Sequence, residues 1–238
     1  MNCDTPRHTH VDPQAVRLTV LLVVPATNTT MGREVLELWP EISNLIRVGV
    51  PRPMRPIRAT DLPAYRADTL RLVASHAAAP PDIVLYGCTT AGFLGGPAGD
   101  TEIQAAISQS IAAPTVTTAS SMVQALLHTG IRHPAILTPY LEASNLALKK
   151  FLAANGFEVP RLDSMEFTNT EQYDQVTANE VFEFAQIIGR DHSSDGLFIA
   201  CTQLPTASIL QKLRQVLNKP VLSAIEATVW NAKRMIRR

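Results

Sequence analysis

A repeat constrains the fold of this chain more than any other feature. Residues 82–93 read DIVLYGCTTAGF and residues 195–206 read DGLFIACTQLPT. In both, an aspartate precedes a hydrophobic, strand-like run, then a small residue, a cysteine and a threonine. The two cysteines, Cys88 and Cys201, stand 113 positions apart. A second marker pair lies upstream, VVPATN at 23–28 and LTPYLE at 137–142, with prolines 114 apart. A third lies downstream, APTVT at 113–117 and KPVLS at 219–223, with prolines 106 apart. Three collinear markers at nearly one spacing imply two similar halves, each of ordinary domain size.

Short apolar runs alternate with helix-period segments along both halves. Strands are expected at 16–24, 82–86, 114–117, 134–137, 196–200 and 220–223, where β-branched and aliphatic residues run together and stop at Pro or a turn. Helices are expected over 66–79, 101–112, 120–129, 142–155, 171–189, 206–218 and 226–238. Such alternation builds βαβ units and parallel sheets. The fold class is therefore α/β, as two pseudo-symmetric lobes, each a mainly parallel sheet flanked by helices, with the active site in the inter-lobe cleft. Residues 15–118 plus 224–238 are assigned to the first lobe with the C-terminal helix, and 119–223 to the second.

Charge and cysteine usage remove several function classes. The 238 residues carry 21 Lys+Arg against 21 Asp+Glu, which lacks the basic field of a general nucleic-acid binder. Residues 1–14 are polar, and the longest apolar run, 18–26, is interrupted by Thr19 and far too short to span a bilayer. A cytoplasmic protein with no membrane partner is expected. Three cysteines make neither a disulfide framework nor a zinc pattern. Cys3 reads as an idle thiol, His8 and His10 as solvated, and no histidine cluster points to a metal. The run Gly92–Gly99 lacks phosphate-loop spacing and reads as a flexible loop beside the first cysteine, part of a lid. The basic, proline-rich stretch 51–58 reads as a solvated crossover loop, with presentation of an arginine to an anionic substrate as the alternative.

In an open parallel sheet, ligands bind beyond the carboxyl ends of the strands. Cys88 and Cys201 each follow such an end, so facing lobes would oppose two thiols across one cleft. Opposed thiols suit covalent or proton chemistry at a carbon next to a carboxylate. Thr89, Thr90 and Thr202 follow the cysteines, and their N–H groups and hydroxyls are expected to form an anion-binding concavity that also lowers the thiol pKa values. Asn28 and Tyr140, after the paired upstream strands, are expected to hold a second carboxylate or a developing enediolate. Capping of the helix near Thr30 is a further role for Asn28.

The segments Pro25–Thr30, Gly87–Thr90 (GCTT), Thr138–Tyr140 (TPY) and Ala200–Leu204 (ACTQL) together resemble the aspartate/glutamate racemase superfamily, and within it the maleate cis-trans isomerase and arylmalonate decarboxylase branch. The resemblance implies a cofactor-independent cis-trans isomerase of a small dicarboxylate, of the maleate-to-fumarate type. It implies Cys88 as the nucleophile and Cys201 as its acid/base partner. It implies substrate binding by Asn28, Thr89, Thr90, Tyr140 and Thr202, and a homodimer or higher homo-oligomer. The alternative is a two-cysteine racemase of an amino acid or related α-substituted acid, with an arylmalonate-type decarboxylase or a non-catalytic small-acid binder behind it. In the resemblance, decarboxylases carry glycine at the first cysteine's position, and racemases carry Glu where this chain has Gln203.

Overall fold

The computed structural model describes residues 18–237. Cys3, His8, His10 and the leading residues Val16 and Arg17 of the first expected strand lie outside them. The first half builds a four-stranded parallel sheet in the order β2-β1-β3-β4 from β1 (Leu18–Pro25), β2 (Ile42–Val50), β3 (Ile83–Tyr86) and β4 (Thr115–Thr117). The second half repeats it as β6-β5-β7-β8 from β5 (Pro134–Thr138), β6 (Arg161–Ser164), β7 (Gly196–Ile199) and β8 (Val221–Ser223). Around them lie α1 (Thr30–Leu38), α2 (Leu62–Ala74), α3 (Thr89–Leu94), α4 (Gly96–Ile111) and α5 (Thr118–His128). The second half adds α6 (Glu142–Ala154), α7 (Glu171–Gln175), α8 (Ala178–Gly189), α9 (Leu210–Leu217) and α10 (Ala224–Ile236).

The two-residue period of β1 sorts its side chains between two helical layers. Leu21 and Val23 join Tyr65, Val73, Ile103 and Ile107 of α2 and α4 on one face. Val20, Leu22 and Val24 join Met31 and Val35 of α1 and Ile225, Val229 and Ala232 of α10 on the other. α10 thus follows the last strand of the second sheet yet completes the core of the first. α5 does the reverse, placing Ala119, Met122 and Leu126 in one core with Ile136 and Phe198 of the second sheet. The two exchanged helices meet where the Thr228 hydroxyl donates to Thr118 Oγ1 at 3.0 Å.

The aspartates that open the repeat serve the strands. Asp82 Oδ2 accepts from the Thr19 N–H at 2.7 Å, and Asp195 accepts from the N–H groups of Arg132 at 2.7 Å and His133 at 2.9 Å. Each pins the start of its lobe's central strand, and the cysteine sits at the opposite end of the neighbouring one.

Several sequence expectations are corrected. Gly92–Gly99 is not a loop: it runs through α3 into α4, broken only at Gly95. Gly92 is there for close approach, since a Cβ on it would lie 2.6 Å from the Ala119 Cβ. The expected helix over 171–189 is two, because Thr177 and Glu180 form a capping box that starts α8 afresh. The helix expected from Thr206 starts at Leu210, after a run of turns. The edge strands β2 and β6 were not expected at all.

Candidate active site

Both cysteines sit two residues beyond a central strand, Cys88 after β3 and Cys201 after β7. Between strand and cysteine the chain packs tightly: a Cβ at Gly87 would lie 2.3 Å from Met31 Sδ. Cys88 then caps α3 with an extended backbone. Cys201 instead adopts φ +103°, a conformation that L residues rarely hold and that concentrates at functional sites. Both are buried, 4% and 8% exposed.

All seven expected site residues line one cavity between the lobes: the two thiols with Asn28, Thr89, Thr90, Tyr140 and Thr202. The cavity is small, about 20 Å³, and no Asp or Glu lines it. Their hydrogen-bonding states differ. Asn28 is engaged on every side: its Oδ1 accepts from the Met31 N–H at 3.0 Å, capping α1, while its Nδ2 donates to Thr202 Oγ1 at 3.0 Å. The Thr202 hydroxyl in turn donates to the Gly87 carbonyl at 2.7 Å, so this pair stitches the lobes together behind the thiols. Tyr140 and Thr89 stand opposite in character: their buried hydroxyls make no well-aligned hydrogen bond, although the Tyr140 hydroxyl lies beside those of Thr89 and Thr90 and close to the Cys201 sulfur. Such unmet groups are uncommon inside proteins, and each calls for a partner such as a ligand or an ordered water.

Burial pushes both thiols up. Backbone N–H groups of Ala91 and Thr90, the Tyr65 hydroxyl and the Arg52 guanidinium pull Cys88 back down, but burial prevails and its pKa stays above the ordinary thiol value. Cys201 is pushed up to about 11 by burial, against the Gln203 N–H, which points at its sulfur from 3.4 Å, and against Tyr140 and Arg52. The expected lowering of the thiol pKa values is therefore corrected: the donors are present, yet desolvation outweighs them.

Four further residues contribute, and sequence reasoning missed three of them. Arg52 lines the cavity, so the 51–58 segment is not merely a solvated crossover. Tyr173, from α7, lies under the Arg52 guanidinium at 5.6 Å. Gln203 bridges the lobes, its Nε2 donating to the Thr27 carbonyl at 2.9 Å. Arg47 on β2 donates from Nη2 to the carbonyls of Ala26 at 2.7 Å and Asn28 at 2.9 Å, fixing the turn that carries Asn28. The basic, proline-rich run offered a signal for Arg52 and the Cys-Thr-Gln run one for Gln203, whereas Tyr173 and Arg47 had none. Among the described residues no group of His, Cys, Asp and Glu forms a metal site, and no helix is long and apolar enough to cross a membrane.

Comparison with known proteins agrees with this architecture. The family model described as arylmalonate decarboxylase matches residues 20–238. A maleate isomerase of Nocardia farcinica is 24% identical over 223 residues, covering 90% of this chain and 88% of that protein. An arylmalonate decarboxylase of Bordetella bronchiseptica is 26% identical over 148 residues, 62% of each. A solved structure of a cysteine-to-serine variant of Nocardia farcinica maleate cis-trans isomerase, with a covalently bound succinylcysteine intermediate, superposes with a TM-score of 0.84 at 24% identity. It covers 92% of this chain and 93% of that one.

Proposed function

The chain belongs to the arylmalonate decarboxylase family, within the aspartate/glutamate racemase superfamily, and from that premise we propose that it is a cis-trans isomerase of a small dicarboxylate such as maleate, working through Cys88 and Cys201. The observation that carries the proposal is the presence of a thiol at both equivalent strand ends, facing one cavity that has buried hydroxyls without a well-aligned partner and no acidic side chain.

The reactive form holds one thiolate and one thiol. Cys88 is the better thiolate, because two backbone N–H groups, Tyr65 and Arg52 oppose its desolvation. Cys201, held near 11, is the sulfur that keeps its proton and so has one to deliver. The Cys88 thiolate adds to one alkene carbon of maleate, and the π electrons move onto the adjacent carbon and its carboxylate as an enediolate. The Tyr140 and Thr89 hydroxyls are placed to stabilise that charge. Cys201 delivers its proton to the carbanionic carbon, leaving a succinyl thioether with a freely rotating C–C bond. After rotation the Cys201 thiolate removes a proton from that carbon, the C–S bond breaks, fumarate departs and the Cys88 thiolate returns. No electrons are gained or lost, so the cycle needs no redox partner.

Loss of the ultraviolet absorbance difference between maleate and fumarate tests this directly. Turnover by the wild type that disappears in Cys88→Ala and in Cys201→Ala is the expected result, and full turnover in either variant overturns the assignment. The family match also favours a second reading, decarboxylation of an arylmalonate. Carbon dioxide release from phenylmalonate, with maleate left untouched, would establish that instead. Exchange of an α-hydrogen in heavy water without either reaction would indicate the racemase.

A further inference from the structure

We propose that Arg52 is the specificity-determining residue of this site, binding the second carboxylate of the substrate through its Nε and Nη2 hydrogens. The inference rests on the dicarboxylate reading above and assigns how the second acid group is recognised. Three arginines, Arg47, Arg52 and Arg55, follow one another along β2 and the segment after it, and two are satisfied. Arg47 is consumed by backbone carbonyls, and Arg55 forms a two-pronged pair with Asp61, Nη1 to Oδ2 at 2.7 Å and Nη2 to Oδ1 at 2.9 Å. Arg52 has no such partner: its Nε and Nη2 are buried without a hydrogen bond. Those two atoms carry the parallel donors along one edge of the guanidinium, the edge that meets a carboxylate in bidentate fashion.

The surroundings hold Arg52 at the cavity. Arg52 lines the cavity shared by Cys88 and Cys201, and its charge acts on both sulfurs. The Tyr173 ring supports the guanidinium at 5.6 Å. Two residues on, the Met54 carbonyl accepts from the Thr170 N–H at 2.9 Å, joining this segment to the other lobe and limiting its freedom. Two buried guanidinium donors without partners are costly, and a carboxylate answers both the charge and the geometry. The Tyr140 and Thr89 hydroxyls receive the first carboxylate, Arg52 receives the second, and the carbons between them lie over the thiols.

Calorimetric binding of succinate, the saturated and unreactive analogue of the same length, to the wild type and to Arg52→Gln tests the assignment without turnover. Succinamate, its monoamide, serves as the monoanionic control. Arg52→Gln is expected to weaken succinate binding roughly ten- to a hundredfold, the range for a lost charge-assisted pair, while succinamate changes little. Arg52→Lys, which keeps the charge but not the fork, should fall between. An unchanged preference for succinate over succinamate in Arg52→Gln overturns the proposal, as does wild-type protein that binds neither. If succinate binds through Arg52 but maleate is not converted, the isomerase reading falls and this one stands. If Arg52→Gln converts maleate with an unaltered KM, the reverse holds.

Discussion

At neutral pH burial holds both Cys88 and Cys201 as thiols, against backbone N–H groups and the Arg52 guanidinium that favour the ionised form. The nucleophilic fraction of Cys88 therefore grows as pH rises toward its elevated pKa. We expect log kcat/KM for maleate to climb across the neutral and alkaline range, and Arg52→Gln to displace that limb to higher pH because a cation facing both sulfurs is gone. A rate that is flat between pH 6 and 9 would contradict the assignment of Cys88 as the attacking group. Cys201 permits a separate test, because its φ of +103° strains any side chain. Cys201→Gly should lose turnover by roughly a hundred- to ten-thousandfold, as expected for removal of a proton donor. It should nevertheless be about 1 kcal/mol more stable than Cys201→Ala, since glycine accepts that backbone angle freely. Thermal midpoints of the two variants decide the point.

The elements carry a second titration, away from the thiols. Asp100 on α4 is 3% exposed, accepts from the Thr117 hydroxyl through Oδ2 at 2.7 Å and leaves Oδ1 unpartnered. Burial pushes its pKa to about 6. Glu34 on α1, buried while accepting from the Thr206 N–H and hydroxyl, is raised for the same reason. A carboxyl whose pKa rises on folding favours the folded state below its unfolded value and loses that contribution as pH climbs through the folded value. Stability should thus fall between about pH 4 and pH 7, by roughly 3 kcal/mol at most from Asp100, and Asp100→Asn should flatten the slope. Urea unfolding at pH 5 and pH 8 measures it. Legibility from the sequence also differed by element. β3 and β7 are buried at every position, so their apolar runs stand out, and the cysteines that follow were found with them. β2 and β6 lie at sheet edges: β6 reads RLDS, half-buried throughout, with Arg161 paired to Asp163 on its own strand. Such a segment has no apolar run to detect. Which arginine of 51–58 reaches the site was not legible, because a proline-rich run has no period from which to infer the direction of a side chain. Tyr65 and Tyr173 lie outside the repeat markers altogether.

Across the whole molecule, the exchange of α5 and α10 makes each core depend on the other half of the chain. Deleting 224–238 removes Ile225, Val229 and Ala232 from the first sheet's core and uncovers Val20 and Leu22. Such a truncation should fail to fold in its first half, and the intact chain should unfold in one transition rather than two. Circular dichroism on both proteins checks this, and two resolved transitions in the intact chain would show the lobes to be independent. The halves are nevertheless unequal at the site. Each supplies a sulfur, but the segment after β2 brings a guanidinium, whereas the segment after β6 brings the Tyr173 ring on which it rests. An acid with two like ends can then lie in the cleft in only one orientation, offering the same prochiral face to Cys88 each time. The product of addition trapped on that sulfur should be a single enantiomer, a handedness arising from a scaffold that is itself almost ambidextrous.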